Sequence, residues 1–255
     1  MRLFIIRHGQ SHNNLVDFNA VSHEEYVTSR LPDPDLTPLG WRQAEAVAQH
    51  VATAKTVDHA AGYGIFDRPG YGITRLYCSP MRRAMQTAQP IGKAIGVDPE
   101  INVDIYEFGG MYSGDHHEPE KCLNHPGMTS SEIEKEFPGY IIPATITEDG
   151  WYKEGHESYE YFTDRIKRAA RFLQKMAAES NSTHQTHEHV ALVVHADFID
   201  HLLKALLEQP VQPNFSYLFH NTSITLLEFS STGRIRVGFV NRSEHLTEDV
   251  FTESD

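Results

Sequence analysis

The most constraining feature of this chain is a pattern that occurs three times: a short run of β-branched, leucine and aromatic residues leads directly into a cluster of polar ones. Leu3-Phe4-Ile5-Ile6 precedes Arg7-His8-Gly9. Ile73-Thr74-Arg75-Leu76-Tyr77-Cys78 precedes Ser79-Pro80-Met81-Arg82-Arg83, and Val190-Ala191-Leu192-Val193-Val194 precedes His195-Ala196-Asp197. Apolar runs of this length read as strands buried on both faces. Helical patterns separate them, at residues 37 to about 57, 81 to about 95, 158 to about 179 and 198 to 207. Thr37 is an N-cap with Pro38 at the first helical position, and Gly96 closes the second helix. Strands alternating with helices of this size imply crossover units on a mainly parallel sheet with helices on both faces, an α/β three-layer sandwich. In such a sheet the ligand crevice lies at the carboxyl ends of the strands, so the three polar clusters are expected to converge.

Two further strands, 223–229 and 234–241, flank the turn signal Ser230-Ser231-Thr232-Gly233 and predict a hairpin at one edge of the sheet. The stretch 109–155 is irregular and rich in Gly, Pro and His, with one helical signal at 130–137. It reads as a long insertion over the active face. The chain is expected to be a single domain over 1–243, followed by an acidic, disordered tail at 244–255 with no assigned role.

With 255 residues, 40% of them hydrophobic, the chain can bury a large core. Its net charge of -13, with no Lys/Arg cluster longer than a pair, argues against a nucleic-acid partner. A few arginines in one cleft can still hold a small anion. Cys78 and Cys122 are too few for a disulfide framework and read as reduced thiols. The apolar run before Arg7 is too short for a signal segment or a membrane span, so the expected address is cytoplasmic, with no membrane partner.

Two imidazoles and at least two guanidiniums facing one crevice suit a phosphate dianion, which Arg grips by bidentate, charge-assisted hydrogen bonds. A rival reading makes His8 and His195 metal ligands with Glu107 or Asp197, but fixed cations beside a divalent ion are costly. In the third reading each histidine only satisfies hydrogen bonds at a strand end.

Arg7-His8-Gly9-Gln10-Ser11, with Asn14 beyond it, resembles the phosphate-binding signature of the histidine phosphatase superfamily, the phosphoglycerate mutase-like enzymes. Leu36-Thr37-Pro38-Leu39-Gly40 with Gln43-Ala44 is similar to the family's first-helix signature. Ser79-Pro80-Met81-Arg82-Arg83-Ala84 is similar to its second arginine motif, and Val193-Val194-His195 to its second histidine motif. The resemblance implies a phosphoglycerate mutase-like αβα sandwich and a small phosphorylated substrate, with no metal and no cofactor. It makes His8 the nucleophile, Arg7 and Arg83 the phosphoryl-oxygen ligands, and His195 a second imidazole on the transferring group. Arg82 is left as a surface neighbour. Ser11 and Asn14 are candidate substrate contacts, with helix capping an equal account of Ser11.

Tyr106-Glu107-Phe108-Gly109-Gly110 resembles the segment that supplies the family's acid-base, which assigns that role to Glu107; Asp197 is the alternative. Ala196 stands where the family commonly has glycine. Gly155-His156-Glu157-Ser158 resembles a family segment opening a helix near the pocket, or is an N-cap at Ser158. His184, His187 and His189 read as a solvated loop before a strand. The implied activity is phosphomonoester hydrolysis through a phosphohistidine. Mutase-type phosphoryl transfer and a non-catalytic phospho-ligand module remain as alternatives, and a homo-oligomer is compatible with the sequence.

Overall fold

A computed structural model of the chain describes residues 1–54, 57–58, 64–65, 70–182, 188–212 and 214–252. In chain order its main elements are β1 (Arg2–Arg7), α1 (His12–Asn19), α2 (His23–Ser29), α3 (Pro38–Thr53), β2 (Arg75–Cys78), α4 (Arg82–Ile95) and β3 (Pro99–Ile101). Then come α5 (Ser130–Glu136), α6 (Tyr159–Ser182), β4 (His189–Val194), α7 (Ala196–Leu206), β5 (Ile224–Phe229) and β6 (Ile235–Arg242). The six strands form one sheet in the order β6-β5-β1-β4-β2-β3. Strands β1, β4, β2 and β3 run parallel, and the β5/β6 hairpin adds to one edge antiparallel.

All six residues of β1 are buried, because it lies inside the sheet with helices over both faces. Successive side chains of a strand point to opposite faces. Phe4 and Ile6 accordingly pack with Val47 and Val51 of α3 and Ala84, Met85 and Ala88 of α4. Leu3 and Ile5 pack with Phe162, Ile166 and Leu173 of α6 and Phe198 and Leu202 of α7. Burying each of these side chains other than the two alanines contributes about 1.5–3 kcal/mol before chain entropy is counted. A charge introduced at Ile5 would therefore break the fold. The helices start and stop where their capping residues dictate. The Thr37 hydroxyl accepts from the Gly40 amide at 3.0 Å, and Gly96 ends α4 at φ 69°, a left-handed conformation that glycine adopts without strain.

The expected αβα sandwich and its edge hairpin are present, and several details differ. Strand β3 was not anticipated: it has three residues and begins with Pro99, a combination tolerated at a sheet edge and weak as a sequence signal. The segment 12–29 folds into α1 and α2, neither of which carries a buried residue. The expected disordered tail is packed as far as Thr252. Val250 is buried, the Gln43 amide donates to its carbonyl at 2.8 Å, and Arg42 pairs with Asp249. Residues 253–255, the end of the first expected helix at 55–56, and His184 and His187 lie outside the described residues. His189 belongs to β4 rather than to a loop, and its Nδ1 bonds the Tyr71 carbonyl at 2.6 Å. No helix among the described residues is long and apolar enough to cross a membrane.

Candidate active site

The parallel register brings the three polar clusters together. Arg7 pairs with Val194, and Cys78 with Val193, so the next residues, His8, Ser79 and His195, leave the sheet side by side. The His8 amide donates to the Val194 carbonyl at 2.9 Å, and the Ser79 amide to the Val193 carbonyl at 3.0 Å. Gly9 is required by close approach: a Cβ there would lie 2.5 Å from the carbonyl oxygen of Gly40.

His8 is buried, and its Nδ1 lies 2.7 Å from the Gly9 carbonyl oxygen. A carbonyl can only accept, so Nδ1 carries the proton and Nε2 carries a lone pair. Arg83 Nε donates to that Nε2 at 3.1 Å. Burial first, then the Arg83 and Arg7 cations, hold the imidazole pKa well below its usual 6.5, which keeps the ring neutral. Of the two adjacent arginines it is thus Arg83 that turns inward. Arg82 pairs with Glu136 and Asp35 at the rim.

Arg7 donates through Nη1 to the Phe219 carbonyl, and its buried Nε has no partner among the described residues. Burial lowers its pKa to about 10, so it stays charged at neutral pH. The His195 ring centroid is 5.0 Å from that of His8. Its Nε2 meets Ser79 Oγ at 2.8 Å, and its buried Nδ1 has no partner among the described residues. Burial, then Arg83 and His8, keep His195 neutral as well.

Glu107 sits at the N-terminus of α7, where its carboxylate accepts from the amides of Phe198 at 3.1 Å and Asp197 at 3.3 Å. These bonds and the helix dipole favour the charged form. Burial, then the neighbouring Asp197 carboxyl, outweigh them and push the pKa up to about 7. Asp197 is pushed upward too, chiefly by burial. Both carboxyls line the same cavity, of about 440 Å³, as Arg7, His8 and Arg83. Ala196 opens α7 and is absent from the residues with positive φ, so it needs no glycine.

Ser11 and Asn14 also border this cavity, but they are engaged with each other. The Ser11 hydroxyl donates to Asn14 Oδ1 at 2.9 Å and accepts its amide at 3.4 Å, forming a capping box on α1. Ser158 likewise caps α6, accepting the Tyr161 amide at 3.2 Å.

Several residues that shape the site are ones to which the sequence assigns no individual role. Ser79 fixes the His195 ring. Thr222 holds φ 57° and donates its amide to the carbonyls of Arg7 and His8, while the Asn221 amide donates to the His8 carbonyl at 3.1 Å. A β-branched residue with positive φ is strained, and sequence preference argues against such a turn there. Glu157 and Arg165 form a fully buried ion pair at 2.7 Å. Arg165 Nη1 donates to the Tyr106 carbonyl at 2.7 Å, which fixes the chain just before Glu107. Arg30, at the end of α2, lines the cavity wall. It donates to the Tyr112 carbonyl at 3.0 Å and lies 4.0 Å over the Tyr112 ring.

Two neutral imidazoles flanked by two guanidiniums suit an anion better than a metal cation. Comparison with known proteins identifies the family. The family model of the histidine phosphatase superfamily (branch 1) matches residues 3–242. A bifunctional protein of Mycobacterium tuberculosis is 24% identical over 251 residues, 96% of this chain and 55% of that protein, so the chain spans about half the length of this curated relative. Among solved structures, a mycobacterial glucosyl-3-phosphoglycerate phosphatase is similar at 25% identity and TM-score 0.56, covering 95% of this chain and 99% of its own. The ecdysone phosphate phosphatase of Bombix mori is similar in fold at 20% identity and TM-score 0.60, covering 97% of this chain and 95% of its own. The family model reaches from the first strand to the last, and on that match the chain belongs to the histidine phosphatase superfamily.

Proposed function

We propose that this protein hydrolyses a phosphomonoester of a small molecule by double displacement, with Nε2 of His8 as the nucleophile. The observation that carries the reading is the state of His8: neutral, its proton fixed on Nδ1 by the Gly9 carbonyl, and its lone pair facing a guanidinium. When a phosphoryl group enters between the two, the Arg83 N–H now bonded to Nε2 turns to a phosphoryl oxygen. Nε2 then attacks phosphorus in line. Arg7 and Arg83 hold the equatorial oxygens and stabilise the charge that builds there. Ser79 Oγ accepts the Met81 amide at 3.2 Å, and we assign its hydroxyl proton to Nε2 of His195, which leaves Nδ1–H of His195 to donate to the same oxyanion.

The bond from phosphorus to the leaving oxygen breaks as Glu107 supplies that oxygen with a proton. Glu107, now a carboxylate, takes a proton from water. The water oxygen bonds to phosphorus, and the P–N electron pair returns to Nε2. One carboxyl near pH 7 serves both half-reactions because the same group loses and regains one proton. Burial raises Glu107 most, and Asp197 acts here as the charge that adds to it. The cavity volume of about 440 Å³ leaves room for a small organic leaving group beside the phosphate. Arg30 on its wall favours a leaving group that carries an acceptor or a negative charge.

An aryl phosphate assayed with excess chelator tests the proposal. Sustained phosphate release that disappears in His8→Ala supports it. Tight phosphate binding with no release would instead favour a phospho-ligand module.

A further inference from the structure

From the placement of His23, Asp115 and His117 we infer a binding site for a divalent transition metal, zinc-like in its preferences, at the rim of the cavity and separate from the phosphate site. His23 is the first residue of α2, and Asp115 and His117 belong to the loop between two short paired strands, Tyr112–Ser113 and Leu123–Asn124. The two segments are far apart in sequence and meet here. Each residue offers one ligand atom, and the three atoms lie within 4.8 Å of one another. His23 Nε2 is 3.0 Å from Asp115 Oδ1, and the His23 and His117 ring centroids are 4.8 Å apart.

Two ligands of one tetrahedral zinc, each bonded at about 2.0–2.1 Å, stand roughly 3.3 Å apart. The present separations, 3.0 Å for His23 and Asp115 and no more than 4.8 Å for any pair, bring the three side chains within reach of one ion. The donor set of two imidazoles and one carboxylate is common for zinc and other late first-row metals. It leaves a fourth position for water or for His116, whose ring centroid is 4.1 Å from that of His117. The loop is already shaped for this: Asp115 Oδ1 accepts the His117 amide at 2.9 Å, and the Cys122 thiol approaches the Asp115 carbonyl at 3.3 Å. The carboxylate supplies the negative charge that a cation needs, whereas the cavity around His8 holds two guanidiniums beside its carboxyls.

None of the three ligands lines the cavity that contains His8, whereas Tyr26 and Arg30 of the α2 segment do. An ion here would pin α2, which buries no residue of its own, against the insertion and so fix the wall opposite His8. The site is structural and takes no part in phosphoryl transfer.

The test uses tag-free full-length protein stripped of metal and titrated with Co²⁺ and then Zn²⁺. The site predicts one Co²⁺ per chain with the strong visible bands of four-coordinate cobalt, displaced by one equivalent of Zn²⁺. Outer-sphere changes at zinc sites cost about 10- to 100-fold in affinity, so removing a ligand should cost at least tenfold. His23→Gln and His117→Gln should each do this, and His12→Gln, on α1, should not. Equal thermal melting of the metal-free variants shows that the fold is kept. Absence of stoichiometric binding, or binding left intact in both variants, overturns the site. Because the readout is spectroscopic, it stands or falls independently of phosphatase activity.

Discussion

Replacing Glu107 by glutamine separates acid catalysis from simple placement. Glutamine keeps an oxygen that can accept the Phe108 and Phe198 amides now bonded to Oε1 at 2.9 and 3.1 Å, and it removes the transferable proton. General acid catalysis contributes about 10²–10⁴ in rate, equivalent to roughly 3–5 kcal/mol of barrier. That assistance matters when the departing oxygen is a poor leaving group. The kcat/KM for an alkyl phosphate should fall at least about 100-fold, whereas that for 4-nitrophenyl phosphate, whose leaving group departs without a proton, should fall less than about tenfold. The pH profile carries a second signature. The first step needs Glu107 protonated, so wild-type kcat/KM for the alkyl substrate should decline as pH rises through about 7, and the variant should lose that limb. On the acid side activity should persist below pH 6.5, because His8 gains its proton only well below that value. An equal loss on both substrates, with the alkaline limb retained, would refute the acid role of Glu107.

Other consequences follow from the surrounding residues. Glu157→Ala leaves the Arg165 guanidinium, 0% exposed, without its carboxylate and should destabilise the fold by about 3–5 kcal/mol in denaturant titration. Adding Arg165→Met should recover much of that loss. Arg30→Ala should raise KM for an anionic substrate about tenfold, with kcat changed less than about threefold, as expected when a charged hydrogen bond to the leaving group is removed. Asn221→Ala should lower kcat, with little change in melting temperature, because its side chain anchors the backbone carbonyl of His8; an unchanged kcat would remove Asn221 from the positioning set.

What was legible in the sequence is what local physics encodes in contiguous residues. The apolar runs ending in Arg7-His8, Ser79 and His195 gave the parallel strands, and the parallel register then forces their next residues together. The Arg82/Arg83 choice was legible only through resemblance; the helix decides it by turning one guanidinium to His8 and the other to Glu136. Glu107 required a tertiary event, the docking of its loop onto the first amides of α7, and its raised pKa arises from burial there and, after it, from a carboxyl 90 residues away. Thr222 was illegible because its strained backbone contradicts its own preference. The packing of the tail is not legible because its acidic composition says nothing of Val250 settling beside Gln43.

The most direct test of the central claim is rapid quenching of the enzyme during turnover, followed by peptide mapping in alkaline solution. A phosphoryl group on His8, stable in base and lost in acid, and missing from an inactive His8→Ala protein, is the predicted result. Full turnover by the His8→Ala protein, or a phosphoryl group found on another residue, would contradict it.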